Sequence, residues 1–417
     1  MHLKKPLIRF YENSRYNDEP QLFQYTAISE GNVWGGGISF DKKKAQNKAI
    51  GESIERYCLE KCDKRSIIYS SQKNLKCDFL DLNSITSITQ EQKKDKKFSR
   101  FVFTKDSKFN WVVGKSLFGS KRVLIPAQLI YVPYLYKKGE PILRLPISTG
   151  AALGTDIYSA LARGIFEVIE RDSFMIFYLN KLTAPEVDLE MSSLKLRRIR
   201  QYFCRYRLDL RLFDITSDLK VPVFAAFLID HTGVGPCVSV GLKSGFNKEE
   251  VVIGAIEEAQ HTRGWMRDEK SSVSKKMYQQ ILSRVRSIST VRERGLFWFT
   301  GKYISKLDFW LDSTSRGKVT IHKDASLISD GKVDFLKVQK ILQNKKLNTY
   351  YVDVVTHHVA MLGLYVVKVI IPELQPLYLD EEFPYLGGKR LDEVPRKLGY
   401  MTQRRGLRLN DFPHPFL

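Results

Sequence analysis

From Ala160 to Ile169 the apolar residues Ala160, Leu161, Gly164, Ile165, Val168 and Ile169 recur at intervals of three and four, which predicts an amphipathic helix. It follows a small-residue turn, Ser148-Thr149-Gly150, and a second glycine, Gly154. The same period predicts a helix over 41–59, with Ala45, Ala49, Ile50, Ser53 and Ile54 on its packed side. A third helix starts near Asn247 with a first turn that is acidic on balance (Lys248, Glu249, Glu250) and carries Val251, Ile253, Ala255 and Ala259. A short helix is expected over 356–362. Strands are predicted over 33–40, 110–113, 123–125, 129–136, 210–213, 221–229, 238–245, 350–354 and 364–371, the 221–229 run being apolar throughout like a buried strand. The polar, lysine-rich stretches 75–108 and 268–280 predict solvated excursions. Residues 1–30 read as an extended N-terminal arm, and the chain from Gly387 onward as basic and irregular. The fold class expected is α+β (mixed α/β), with residues 31–417 as one domain.

Composition narrows the picture moderately. A chain of 417 residues with 43% hydrophobic and 12% aromatic residues has ample material for a core. The formal net charge of +21 favours anionic partners such as nucleic acid, nucleotides or an acidic peptide, although lysines spread along the chain serve solubility equally well. Five cysteines without regular spacing predict reduced thiols and a cytoplasmic location. Cys58 and Cys62 stand four apart on a predicted helix but lack a second ligand pair, so they read as ordinary thiols rather than zinc ligands. The N-terminal MHLKKPLIRF has too short an apolar run for a signal peptide, and the run 362–371 is broken by Gly363 and Lys368, well short of a membrane span.

The chemistry concentrates in a repeated signature. Gly51–Arg56 reads GESIER and Phe166–Arg171 reads FEVIER. Carboxylates three apart lie on neighbouring turns of one helix side, and an arginine follows the first of them at four residues. A single such motif is usually a solvated salt-bridge face. Two copies, each on an apolar-backed helix behind a glycine-containing turn, form the set that would hold hard divalent cations against a polyphosphate: Glu52, Glu55, Glu167 and Glu170. The third helix adds Glu258, His261 and Arg263. The segment VWGGGISF (33–40) carries a glycine triplet through which backbone amides could approach a ligand, and which fits a glycine-rich strand turn as well. No Walker-type loop, Gly-x-Ser-x-Gly elbow or kinase signature is present. The ending Phe412-Pro413-His414-Pro415-Phe416-Leu417 is proline-spaced, hence pre-ordered and suited to docking in a groove.

Taken together, these residues resemble the YcaO family, in particular the cyclodehydratases of thiazole/oxazole-modified microcin biosynthesis. The resemblance is carried by 51–56, by the block from Ser148-Thr149-Gly150 through Glu167, Glu170, Arg171 and Asp172, and by Ala255 through Glu258 with Arg263. The run VVKVIIPELQPL (366–377), Tyr385-Leu386-Gly387-Gly388 and the Pro413-His414-Pro415 ending complete it. It implies a YcaO catalytic domain over 31–417, including the tail, with β-sheets and helices packed around a central site for ATP and Mg2+. It implies phosphorylation of a backbone amide oxygen after a Cys, Ser or Thr side chain has added to the carbonyl, leaving an azoline ring in a ribosomally made precursor peptide. By matching positions, Glu52, Glu55, Glu167 and Glu170 would be metal ligands. Arg56, Arg171 and Arg263 would contact phosphates or brace the carboxylates, Ser148, Glu258, Gly35 and Gly37 would line the nucleotide site, and Pro413, Pro415 and Leu417 would form a catalytic tail.

The chain departs from the family pattern at Lys48 and Gly254, where hydroxyl side chains are common, at His261, where a glutamine is common (Gln260 lies beside it), and at Leu417, where a proline usually closes the chain. No segment reads as a leader-recognition domain, and residues 1–30 are too few for one. A partner related to ubiquitin-activating enzymes is therefore expected, in a heteromeric complex within which the chain is a candidate homodimer. Two other readings remain at this stage: a thioamide-forming or methylthiolation-accessory member of the same family, and a basic nucleic-acid-binding protein. The last explains the charge but not the matched acidic pairs, which would repel phosphate unless metal lay between.

Overall fold

The structure, a computed structural model, describes residues 8–62, 66–119, 121–312, 316–322, 330–400 and 409–417. Three sheets organise them. The first is antiparallel and runs β1 (Arg9–Glu12), β2 (Phe23–Ser29), β3 (Val33–Ser39). The second contains β4 (Ile68–Ser71), β5 (Lys108–Ser116), β6 (Arg122–Pro126), β7 (Ala151–Gly154), β13 (Tyr350–Asp353) and β14 (Tyr365–Ile370), in the order β4-β5-β13-β14-β7 with β6 paired to β5. The third contains β8 (Glu186–Val187), β9 (Leu208–Asp214), β10 (Val223–Asp230), β11 (Val238–Ser244) and β12 (Lys318–Val319), in the order β11-β10-β9-β8-β12. The helices are α1 (Lys42–Glu60), α2 (Ile157–Leu179), α3 (Leu194–Cys204), α4 (Lys248–Ser271), α5 (Lys275–Ser283), α6 (Val291–Phe297), α7 (Asp308–Leu311), α8 (Gly331–Asn344), α9 (His357–Ala360) and α10 (Arg390–Lys397).

Three strand–helix units with short links give the fold its plan: β3 to α1, β7 to α2 and β11 to α4. Each helix starts on a side-chain cap: Asp41 accepts from the Lys44 N–H, Asp156 from those of Tyr158 and Ser159, and Asn247 from that of Glu250. Each helix then turns back along its own strand. Among the described residues β3, β7 and β11 each end their sheet, so each carries an open edge.

Helix α2 lies between the second and third sheets, touching β7 and β14 of one and β10 and β11 of the other. From Asp172 to Leu179 every residue of it is buried, which explains why the helical period of its first half dissolves into the continuous DSFMIFYL. Strand β10 is apolar throughout for a related reason. Val223, Ala225, Phe227 and Ile229 enter the core shared with α2, while Phe224, Ala226 and Leu228 pack on the opposite face with Leu196 of α3 and Ile256 of α4.

Several expectations are revised. Residues 9–12 and 23–29, read as an arm, are two strands: β1 pairs with β2, and β2 pairs in turn with β3. The stretch 75–108 is not a free excursion. Leu80, Leu82, Ile85, Ile88, Phe98 and Phe101 are buried while Lys94, Lys96 and Lys97 stay outside, so single apolar anchors hidden among lysines escaped a composition-based reading. No strand forms over 129–136; Leu129 closes a short helical turn, and Pro133 has no N–H to give a ladder. α4 continues to Ser271 and α5 follows, where an irregular excursion was expected at 268–280. The region after Gly387 contains α10, and the rest of that basic stretch, 401–408, lies outside the described residues. Cys58, Cys62, Cys77, Cys204 and Cys237 form no disulfide, in keeping with the reduced thiols expected. Among the described residues no helix is long and apolar enough to cross a membrane.

Candidate active site

The three open edges are closed by glutamates. The Gly36 N–H of β3 donates to Glu52 Oε2 at 2.6 Å, and the Leu153 N–H of β7 donates to Glu55 Oε1 at 2.7 Å. The Gly150 N–H, just before β7, donates to Glu167 Oε2 at 2.9 Å, and the Leu242 N–H of β11 donates to Glu258 Oε2 at 2.8 Å. Carboxylates on α1, α2 and α4 thus meet backbone amides of three sheets at one place, each in a charge-assisted hydrogen bond.

Helical spacing makes this possible. On α1, Lys48, Glu52 and Arg56 follow one another at four residues and reach Ile38 O at 3.1 Å, Gly36 N at 2.6 Å and Trp34 O at 2.9 Å. Four residues of helix advance about 6 Å and two residues of strand about 6.6 Å, so the two ladders stay in step. α2 repeats the device with Arg163, Glu167 and Arg171: Arg163 donates to Leu153 O at 3.0 Å and Glu167 accepts from Gly150. Lys48 also bonds Glu257 Oε2 at 2.5 Å, and Glu257 Oε1 accepts from Ser39 Oγ at 2.7 Å and the Phe40 N–H at 3.0 Å. Lys48 therefore does ionic work between α1 and α4. On α4 the position four before Glu258 is Gly254, and a Cβ there would lie 3.0 Å from Cγ of Lys243, whose side chain crosses it from β11.

The carboxylates are close enough to feel one another. Burial pushes the Glu55 carboxyl up to about 8, with the Leu153 N–H opposing and Glu167 and Glu52 adding. Burial takes Glu170 up to about 7, with Arg171 and Lys243 opposing and Glu258 and Glu167 adding. Glu52 is also raised, chiefly by burial. Burial lowers His261 to about 4, with Lys48 and Arg56 adding, so its ring is neutral. Arg171 stands between Glu167 at 3.4 Å and Glu170 at 3.3 Å, and its buried Nε lacks a hydrogen-bond partner. A surplus of like-charged carboxylates beside an unsatisfied guanidinium donor suits a hard cation and an anionic ligand. Among the described residues no three His, Cys, Asp or Glu side chains converge as a ready-made metal cage. Mg2+ does not require one, since it is commonly held by one or two carboxylates with phosphate oxygens and water. The donor set fits the ion.

The structure separates the remaining expected residues. Gly35 and Gly37 face α1, where added Cβ atoms would come within 2.2 Å of Ser53 N and of Ala45 O; they permit close helix approach and do not line the site. Strand alternation turns the neighbour, Gly36, toward the site, where a Cβ would meet Cε1 of His261 at 2.5 Å. Ser148 is exposed at the turn before β7. Arg263 is not free for phosphates or for the clustered glutamates: it is buried, pairs with Glu19 at 2.7 Å and Asp230 at 2.6 Å, and donates to Pro236 O at 2.9 Å. Its cation ties α4 to β10 and to the segment before β2. Pro413 and Pro415 are buried and Leu417 is half-buried. The tail is fastened by Tyr178 Oη donating to Pro413 O at 2.9 Å and by Arg294 donating to His414 O at 2.9 Å. Its contact with the glutamate cluster is made by Phe416, whose ring lies under Arg171 at 4.1 Å. Arg163, Glu257, Lys243 and Phe416 were missed. The four-residue spacing Arg163–Glu167–Arg171 was a readable signal for the first; the others depend on contacts distant in sequence.

A family description, YcaO cyclodehydratase, ATP- and Mg2+-binding, matches residues 36–375. The chain belongs to that family, and ATP and Mg2+ are its cofactors. A curated relative, an uncharacterized protein of Methanothermobacter thermautotrophicus, is 25% identical over 231 residues, covering 54% of this chain and 56% of the relative. A solved heterocyclase in complex with substrate and cofactor superposes with a TM-score of 0.78 at 19% identity, covering 98% of this chain and 55% of that one. The chain therefore spans little more than half the length of either. The Escherichia coli microcin synthetase McbBCD complex with pro-MccB17 bound includes a chain matching with a TM-score of 0.59 at 13% identity, covering 97% of this chain and 96% of that one. These structures share the mixed helix-and-sheet fold.

Proposed function

We propose that this protein is an ATP-dependent cyclodehydratase that forms azoline rings from Cys, Ser or Thr in a ribosomally made precursor peptide. The observation that carries the reading is the convergence of Glu52, Glu55, Glu167 and Glu258 on three strand edges, with Arg171 joining Glu167 and the neighbouring Glu170 to the docked tail. Glu52, Glu55, Glu167 and Glu170 would hold Mg2+, and Ser148, Glu258, Arg56 and Arg171 would line the nucleotide. When bound, Mg2+–ATP supplies the phosphoryl group that turns an amide oxygen into a leaving group. The chain's own part is positional. The strand-edge bonds fix the direction of the Glu52, Glu55, Glu167 and Glu258 carboxylates, Arg171 holds Glu170 and offers a donor to negative charge, and the buried tail closes one side of the cluster against water.

A partner protein that binds the precursor's leader, related to ubiquitin-activating enzymes, completes the proposal; the fold similarity to a chain of a multi-protein microcin synthetase supports it. The test is mass spectrometry of candidate precursor peptides after incubation with the protein, ATP, Mg2+ and the partner. Loss of water per modified residue is the expected result. Exchange of oxygen for sulfur would overturn the azoline assignment in favour of thioamide formation, and full activity without a partner would overturn the heteromeric one.

A further inference from the structure

The apolar run near the C-terminal third is interrupted by Lys368, which sits in the middle of β14 and is only 1% exposed. An ammonium in such a place needs acceptors. Lys368 Nζ donates to Ile147 O at 2.6 Å and to Thr149 O at 2.7 Å. The same strand donates the Val369 N–H to Gly150 O at 2.8 Å, and the Ala151 N–H closes the turn on Ser148 O at 2.8 Å. Four consecutive carbonyls, Ile147 to Gly150, are thereby held, two of them by one side chain. Gly150 has a φ of +89° and no room for a Cβ, which would lie 2.3 Å from Val369 O, so the turn is pressed against β14. Its last amide is the one that holds Glu167. Lys368 also borders a small cavity of about 50 Å³ that Thr149, Val168 and Arg171 share, so the clamped turn and the glutamate cluster adjoin. A leucine or methionine would satisfy the packing of β14; it could not hold the two carbonyls.

We propose that Lys368 is a positioning residue for the nucleotide: by clamping the carbonyls of Ile147 and Thr149 it fixes the 147–150 turn, and with it Ser148 and the Gly150–Glu167 bond, in the shape that receives the triphosphate. The inference rests on the reading above only in taking the Ser148 turn as a wall of the nucleotide site.

Lys368→Met removes the clamp at nearly constant volume. The KM for ATP and the Kd of a non-hydrolysable ATP analogue should both rise about tenfold or more, while kcat at saturating ATP and the KM for peptide stay within about twofold. In the nucleotide-free protein, hydrogen exchange at the amides of 148–151 should accelerate, with the rest of the core unchanged. If Lys368→Met does not fold, Lys368→Gln, which keeps a neutral donor, is read by the same criteria. A folded variant with unchanged analogue affinity and unchanged exchange, or one that loses kcat at unchanged ATP KM, overturns the proposal. Failure of the wild-type protein to bind the analogue would overturn the site reading instead, and the exchange measurement would still judge the clamp.

Discussion

Arg171 lies across the face of Phe416, its guanidinium carbon 4.1 Å from the ring centroid, while the same group reaches Glu167 at 3.4 Å and Glu170 at 3.3 Å. The penultimate residue of the chain is thus coupled to the carboxylate cluster through one arginine. A cation–π contact in a dry setting is worth about 1–2 kcal/mol. Much of that would appear as orientation of Arg171, since alternatives to the carboxylates are few once the ring blocks one side.

Phe416→Ala should therefore lower ATP turnover by about 5- to 30-fold in the folded protein, and because the ring is also buried against Phe174 it should cost about 3–5 kcal/mol of stability. Phe416→Tyr, which keeps the ring face, should retain most of the activity. Steady-state phosphate release with both variants is the check; equal turnover in wild type and Phe416→Ala would mean that the tail has no part in the reaction.

Glu167→Gln and Glu170→Gln should each reduce ATP turnover by about 100-fold or more with the fold intact by circular dichroism. Glutamine can still accept the Gly150 N–H through its carbonyl, so the substitution at 167 removes charge and spares the strand-edge bond. Turnover close to wild type in either variant would reduce these residues to structural ion pairs with Arg171.

The pH dependence of the metal-free protein follows from Glu55, raised to about 8, and Glu170, raised to about 7. Both pKa values lie above those of an unfolded glutamate, so the folded state holds the protons more tightly. This stabilisation is fully present below the unfolded pKa and is lost as pH rises through about 7 and about 8. With a chelator present, the melting temperature should fall between pH 5.5 and pH 8.5, roughly the span of these two groups. Glu55→Gln should flatten that slope, as should addition of Mg2+ with nucleotide. A flat profile in the chelated wild type would show that the two groups titrate normally.

Arg263→Met should act on stability, since it leaves Asp230 buried without its cation and Glu19 with Arg267 alone. A loss of about 3–5 kcal/mol is expected by chemical denaturation. The ATP KM of the surviving folded protein should stay near wild type. A large rise in ATP KM without destabilisation would return Arg263 to the phosphate-binding set.

Much of the site was legible along the chain because its periodicities are local. Glu52 and Glu55, or Glu167 and Glu170, share a helix side whatever packs around them, and the glycine turns preceding the helices are visible in the sequence. The misreadings have one origin. The glycine triplet 35–37 does not reveal in sequence which of its members faces a helix; the direction of the strand's pleat turns Gly35 and Gly37 to α1 and Gly36 to the site. The buried anchors of 80–101 were masked by neighbouring lysines whose charges point outward. Residues 9–29 read as an arm along the chain because β1 and β2 become strands only through pairing, β1 on β2 and β2 on β3.

The amino-acid sequence alone determined the family, the three acid-bearing helices and the four-residue rows Lys48–Glu52–Arg56 and Arg163–Glu167–Arg171, all of which depend on neighbours within a few helical turns. Only the tertiary structure decided what those side chains hold. It brought the edges of β3, β7 and β11 together, drew Arg263 away to Glu19 and Asp230, set Phe416 beneath Arg171, and placed Lys368 against a turn more than two hundred residues earlier. The physical reason is that a buried charge or an open strand edge must find a partner, while the chain's periodicity says only which way the group faces.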